Sequence, residues 1–203
     1  KLGAALDETQ SEDVRIEALK TLGCIYKKSG LNFTDSDLRD KLGAALDETQ
    51  SEDVRIEALK TLGCICEYFG DEFNQSNLFK NKLGAALDDS QSDDVRIEAL
   101  KTLGCIYHGE RYSVFDFNQS NFVRKLGAAF DSQSEDVRQE ALKTLGSIYE
   151  KSGDAFNKSD FVGKLHSAIK SDSPDIRKSA LDTLYKIYGK DKANEICKSI
   201  YQN

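Results

Sequence analysis

Residues 1–25, KLGAALDETQSEDVRIEALKTLGCI, recur without a single change at residues 41–65. Further copies start at Lys82, Lys125 and Lys164, so successive starts lie 40, 41, 43 and 39 residues apart. A fixed period of this length marks one supersecondary unit repeated along the chain. Such a unit cannot enclose its own apolar face, and its neighbours must supply the rest of the core. The expected product is a stack of like units sharing one interior.

Each unit reads as two helices. The second, helix B, is expected to start at Ser11, Ser51, Ser92, Ser134 and Ser173, whose hydroxyls suit an N-cap. Acidic residues such as Glu12 and Asp13 follow, at the positive end of the helix dipole. In the last copy Pro174 follows the cap, at the position where proline is favoured. Val14, Ala18, Leu22 and Ile25 then mark one apolar stripe, and Ser29-Gly30 and Ser152-Gly153 end two of these helices. For helix A, Phe33, Phe73, Phe117 and Phe156 precede the expected caps Thr34, Asn74, Asn118 and Asn157. Leu38, Leu78, Phe122 and Phe161 stand five residues after each Phe. That pattern is a hydrophobic staple around the cap. Gly23 and Gly43 recur inside helices at a cost of ~1 kcal/mol each against Ala, which predicts close backbone approach there.

The chain is therefore expected to be one domain, residues 1–203, with repeats at 1–40, 41–81, 82–124, 125–163 and 164–189. A capping helix at 190–203 would close the end with Ala193, Ile196, Cys197 and Ile200. The last repeat is atypical, as an end should be: Tyr185 replaces the glycine at 23, 63, 104 and 146, and Lys178 replaces the isoleucine of the first three copies. The chain opens without Met and inside a repeat, the pattern expected of a fragment or a processed product.

The segments at 13–23, 53–63, 94–104, 136–146 and 175–184, read as D-V-R-x-E-A-L-x-x-L-G, resemble HEAT and HEAT-like repeats of the armadillo-type class. The resemblance implies an all-α, right-handed α-solenoid of five tandem hairpins, and a function in binding other proteins. It also implies ladders between repeats, built from Arg15, Arg55, Arg96, Arg138 and Arg177 with Asp7, Asp47, Asp88 and Asp131; Lys170 interrupts the series. In the family the B helices line the concave surface. The row opposite the apolar stripe is then the expected partner-binding face: Glu17, Lys20, Thr21 and Cys24, with Glu57 and Lys60, Glu98 and Lys101, and Glu140 and Lys143. Glu–Lys pairs three residues apart are equally ordinary helix-surface support. The longer 107–117 connection breaks the period, and its Arg111, Tyr112 and Phe115 are further partner-binding candidates, since loops often carry contacts.

Chemistry beyond binding finds little footing. The chain carries 28 Lys+Arg against 35 Asp+Glu, a net charge of −7, which argues against nucleic acid. Residues 164–203 alone hold 8 basic and 5 acidic residues. No apolar stretch approaches the ~18 residues of a membrane span. Cys24, Cys64, Cys66, Cys105 and Cys197 are odd in number, and thiols one repeat apart sit ~10 Å from one another, beyond disulfide reach. Free thiols in a reducing, cytoplasmic setting are expected. Such thiols cannot converge on a metal, and His108 and His166 do not repeat, so no metal or cofactor is expected. N-x-S/T matches stand at Asn32, Asn74, Asn118 and Asn157, and in the last three the Asn is the expected helix-A cap, so a repeated cap makes a repeated match. No nucleophile elbow or phosphate loop is present, and no catalytic residue is expected. The expected role is a scaffold for protein partners. Two rivals follow: HEAT-like arrays are also similar to bilin lyase subunits for phycobiliproteins, and an open apolar end would let copies associate end to end as a filament.

Overall fold

The computed structural model describes residues 1–29, 35–68, 76–106, 121–152 and 159–202. The structure of these residues is all-helical, a solenoid of stacked helical pairs. Two compact units divide the chain, Lys1–Tyr112 and Ser113–Asn203. In the first, α1 (Leu2–Ala5) pairs with α2 (Glu12–Ser29), α3 (Ser36–Ala45) with α4 (Glu52–Tyr68), and α5 (Asn77–Ala86) with α6 (Asp93–Ile106). The B helices pack in series, α2 on α4 and α4 on α6, while the A helices stack beside them. In the second unit, α7 (Asn121–Phe130) pairs with α8 (Glu135–Ser152) and α9 (Ser159–Ile169) with α10 (Pro174–Tyr188). Helix α10 packs on α8 and is followed by α11 (Lys190–Gln202).

The B helices start where the serines place them. Ser11, Ser51, Ser92, Ser134 and Ser173 each accept from the backbone N–H three residues on, at 3.3–3.5 Å. The A helices start later than expected. Asp35 caps α3 by accepting from Leu38 N, and Ser76 caps α5 by accepting from Phe79 N. The caps are therefore not Thr34 and Asn74, because a carboxylate or hydroxyl closer to the helix already satisfies the orphan N–H. Phe33, Phe73, Phe117 and Phe156 lie outside the described residues, as do Asn32, Asn118 and Asn157, Gly30 and Gly153, and His108, Arg111, Tyr112 and Phe115.

One apolar stripe per B helix fills each interior. Val54, Ala58, Leu62 and Ile65 of α4 are buried, as are Val95, Ala99, Leu103 and Ile106 of α6. Fully burying such a side chain contributes ~1.5–3 kcal/mol. Val14 and Ile25 are the informative exceptions. They are 42% and 43% exposed, whereas their sequence-identical counterparts Val54 and Ile65 are 0% and 2% exposed. The neighbours differ: α2 covers α4, and no described helix covers that side of α2.

The A–B turns also hold successive repeats together. Asp7 Oδ1 accepts from Thr9 N and Thr9 Oγ1, which shapes the turn. Its other oxygen, Oδ2, accepts from Lys41 Nζ at 3.1 Å, the lysine that opens the next repeat. Asp47 does the same with Thr49 and Lys82, and Asp131 pairs with Lys164. The bond from the Thr9 backbone N–H, helped by the Thr9 hydroxyl and Lys41, holds the Asp7 carboxyl at about 2. At Asp7, Asp47 and Asp131 a lysine thus stands where the expected ladder has an arginine, while Arg96 pairs with Asp89 of its own turn at 2.6 Å. The arginines turn elsewhere: Arg55 Nη2 donates to Gln91 Oε1, and Arg138 and Arg177 donate to carbonyls of their own turns. Arg15 is buried, and its Nε and Nη2 meet no partner.

Close approach at the helical glycines is realised unevenly. A Cβ on Gly43 would lie 2.6 Å from Leu78 Cδ2, so the next A helix seats that leucine on the glycine. At Gly63 a Cβ would meet Thr102 and Cys105 at 3.6–3.9 Å, ordinary contact. Gly63→Ala is therefore expected to raise stability by about 1 kcal/mol, through helix propensity. Chemical denaturation would check it, and a loss of stability would show that the helices cannot yield even to a methyl group.

Candidate functional site

The first four B helices present the expected Glu–Lys row, and the last, α10, has Ser179 and Asp182 in its place. Glu17 and Lys20 lie 3.6 Å apart, Glu57 and Lys60 3.3 Å, Glu98 and Lys101 3.1 Å, and Glu140 and Lys143 3.3 Å. Every pair lies within one helix, three residues apart, so the structure brings each lysine to its own glutamate. The side chains differ in depth. Glu17 is 73% exposed but Glu57 only 13%, although their sequence surroundings are identical. Stacking of α2 against α4 covers Glu57 on one side and leaves Lys60 in water.

The row is not uniformly a surface, as the helical wheel of one B helix predicts. Thr21 is exposed, but Thr61, Thr102, Thr144 and Thr183 are each 2% exposed. Thr61 Oγ1 donates to Leu19 O, Thr102 Oγ1 to Leu59 O and Thr183 Oγ1 to Leu142 O, each at 2.9 Å. These hydroxyls stitch one B helix to the backbone of the preceding one. Sequence periodicity within a single helix cannot show this, because the contact lies between helices. The available signal is that threonine stands at this position in all five copies. Glu12 and Glu52 add a second stitch, accepting from Ser51 Oγ and Ser92 Oγ at 2.7 Å.

What remains outward is acidic. Asp13, Asp53 and Asp94 are exposed, beside pairs whose glutamate and lysine charges cancel. Glu12, Glu52 and Asp93 precede them and are exposed too, so the first turn of each B helix of the first unit presents two carboxylates. In the second unit Asp136 and Asp175 are exposed at the matching positions.

The five cysteines are free thiols at different depths. Cys24 is exposed, Cys64, Cys105 and Cys197 are half-buried, and Cys66 is buried. None forms a disulfide, and burial pushes the Cys197 thiol up, away from its nucleophilic form. Among the described residues no group of three His, Cys, Asp or Glu side chains is placed to hold a metal ion. No helix of the described residues is long and apolar enough to cross a membrane.

Matches to the family described as HEAT repeats cover residues 1–104 and 123–201. The chain belongs to the HEAT-repeat family. No curated protein matches this HEAT-repeat chain in sequence. Among solved structures, it is similar to a designed armadillo repeat protein in complex with the peptide (KR)4. There the TM-score is 0.66 at 17% identity, over 98% of this chain and 86% of that one. A second designed armadillo repeat protein, for modular peptide recognition, gives a TM-score of 0.63 at 20% identity, over 92% and 80%. Kap121p bound to Nup53p gives 0.78 at 17% identity, over 99% of this chain and 21% of Kap121p. At these identities the likeness is one of fold.

Proposed function

We propose that this HEAT-repeat chain is a non-catalytic protein-binding scaffold. Its B-helix edge, taken as the concave side, receives an extended basic segment of a protein partner. The observation that carries this reading is the repeating edge of the first unit. Exposed Asp13, Asp53 and Asp94 stand beside the pairs Glu17–Lys20, Glu57–Lys60 and Glu98–Lys101. A repeated acidic register suits a partner whose cations also repeat, because each added pair of opposite charges steers and fixes the register. The similarity to a designed armadillo repeat protein that holds (KR)4 supports the same class of partner. Glu140 and Lys143 extend the same chemistry in the second unit.

Fluorescence anisotropy with labelled (KR)4 tests this. Saturable binding is expected, weakening as salt rises. Replacing Asp53 and Asp94 together by Lys is expected to weaken it by roughly tenfold or more. Equal affinity for (KR)4 and for an acidic peptide of the same length would overturn the proposal.

A further inference from the structure

The turn between the A and B helices loses one residue in the last two repeats. Asp131-Ser132-Gln133-Ser134 and Lys170-Ser171-Asp172-Ser173 stand where the second repeat has Asp47-Glu48-Thr49-Gln50-Ser51. In the first unit a glutamine fills the space between successive turns. Gln91 accepts from Arg55 Nη2 at 2.6 Å and donates to Glu48 at 3.2 Å. In the last turn Asp172 stands where that glutamine would be, so no amide bridges Arg138 to the turn that follows it. Arg138 instead folds onto its own turn, donating through Nη1 to Ser132 O and Gln133 O at 2.6 and 2.9 Å.

The result is a cleft of about 460 Å³ within the second unit, between the α7–α8 turn and helix α9. Its size falls in the range of small-molecule sites, roughly 300–1,000 Å³. Phe130, Leu142 and Ile176 give it an apolar floor, and Arg138, Lys164 and Ser171 give it polar walls. The charges do not cancel. Lys164 is held by Asp131, which also lines the cleft and is 71% exposed, so Arg138 carries the uncompensated positive charge. Among the described residues Arg138 bonds to the protein through Nη1, which leaves Nε and Nη2 as further donors on a residue that lines the cleft. Ser171 Oγ accepts from Ser173 N, which leaves its own hydrogen to donate. A guanidinium edge and a hydroxyl above an apolar floor match a planar or tetrahedral oxyanion joined to a hydrophobic group.

We propose that this cleft binds an organic oxyanion, a phosphate or carboxylate carried on a small apolar body, with Arg138 as the principal anion contact and the Ser171 hydroxyl as the second. The reading is independent of the acidic B-helix edge, which takes a cation. It places the site where the turn has lost a residue.

Phenyl phosphate is the probe, titrated into the full chain and followed by amide shifts in a 15N–1H spectrum. Saturable shifts are expected at Gly163, Ser167 and Ser171. Inorganic phosphate and benzyl alcohol, each carrying half of the chemistry, are expected to bind at least tenfold more weakly. Arg138→Gln is expected to abolish saturation. A Cβ at Gly163 meets no atom within 4 Å, so a side chain can start there, and Gly163→Leu is expected to block binding in a chain that stays folded. A blocked phosphotyrosyl tripeptide separates two sources of the anion: tenfold tighter binding than phenyl phosphate assigns it to a protein side chain, and parity assigns it to a free small molecule. The proposal is overturned if phenyl phosphate causes no saturable shifts at the cleft, if inorganic phosphate binds as tightly, or if both variants bind like the parent.

Discussion

Replacing Phe161 by Ala is expected to lower the stability of the second unit by about 3–5 kcal/mol, the range for truncating a buried aromatic side chain. Phe161 is 1% exposed at the start of α9, and its ring lies 5.7 Å from that of Phe130 at an interplanar angle of 43°. A tilted pair of this kind contributes roughly 0.5–1.5 kcal/mol beyond the area it buries. The loss would be a large share of the roughly 5–15 kcal/mol that holds a typical domain together. Urea unfolding followed by far-ultraviolet circular dichroism would measure it. Hydrogen exchange would locate it, with protection falling in α8, α9 and α10 while α2 and α4 are unaffected. A loss under 1 kcal/mol would mean that neighbouring side chains collapse into the space, and that Phe161 is not an anchor of the unit. Val14→Ala is the control, because that side chain is already 42% exposed and its truncation removes little buried area.

Ala193→Asp is expected to cost about 3 kcal/mol and to release α11 from the end of the second unit. Ala193 is 0% exposed where α11 meets α10, and a carboxylate there has no room for water. The helix has few other attachments: Ile200 is buried, Tyr185 Oη lies 3.2 Å from Asn194 Oδ1, and Tyr201 Oη donates to Ile169 O at 3.0 Å. Undocking α11 therefore costs less than burying an unpaired charge, and it sets the ceiling on the loss. Exchange protection should vanish along α11 and drop on the exposed side of α10, with the α8–α10 contact retained. Ala193→Ser, which fits the same space and can bond to its own helix, should cost under about 1 kcal/mol. Retained protection of α11 in the aspartate variant would show that the capping contact is looser than the structure depicts.

The two ends of the chain explain why α11 matters. Val14 and Ile25 leave one side of α2 open, while α11 covers the last B helix with Ala193 and Ile200. Tyr185 stands where earlier repeats have glycine, and its hydroxyl reaches α11 rather than another repeat. The departure from the repeat that marked Tyr185 in the sequence is therefore the local device that receives the cap.

Much of the fold was legible because the signals were local and repeated. Serine caps, first-turn acids and the stripe from Val14 to Ile25 act within one helix, and they place the B helices without any knowledge of neighbours. Helix A was less legible, since several polar residues compete for the cap and proximity decides in favour of Asp35 and Ser76. The partner-facing row was legible as a pattern but not in depth. Glu17 and Glu57 share one sequence context and differ from 73% to 13% exposure, a difference set by the helix stacked alongside.

The chain alone thus determined the period, the helical hairpin and the stripe it must hide, because periodicity and capping are properties of short segments. Tertiary structure decided which cation each turn aspartate meets, which threonines become buried stitches, and where losing one turn residue opens a cleft. Those outcomes depend on distances between residues about forty positions apart, set by how one hairpin packs on the next. A repeated sequence cannot encode such differences in any single copy; they arise from having a neighbour, or lacking one.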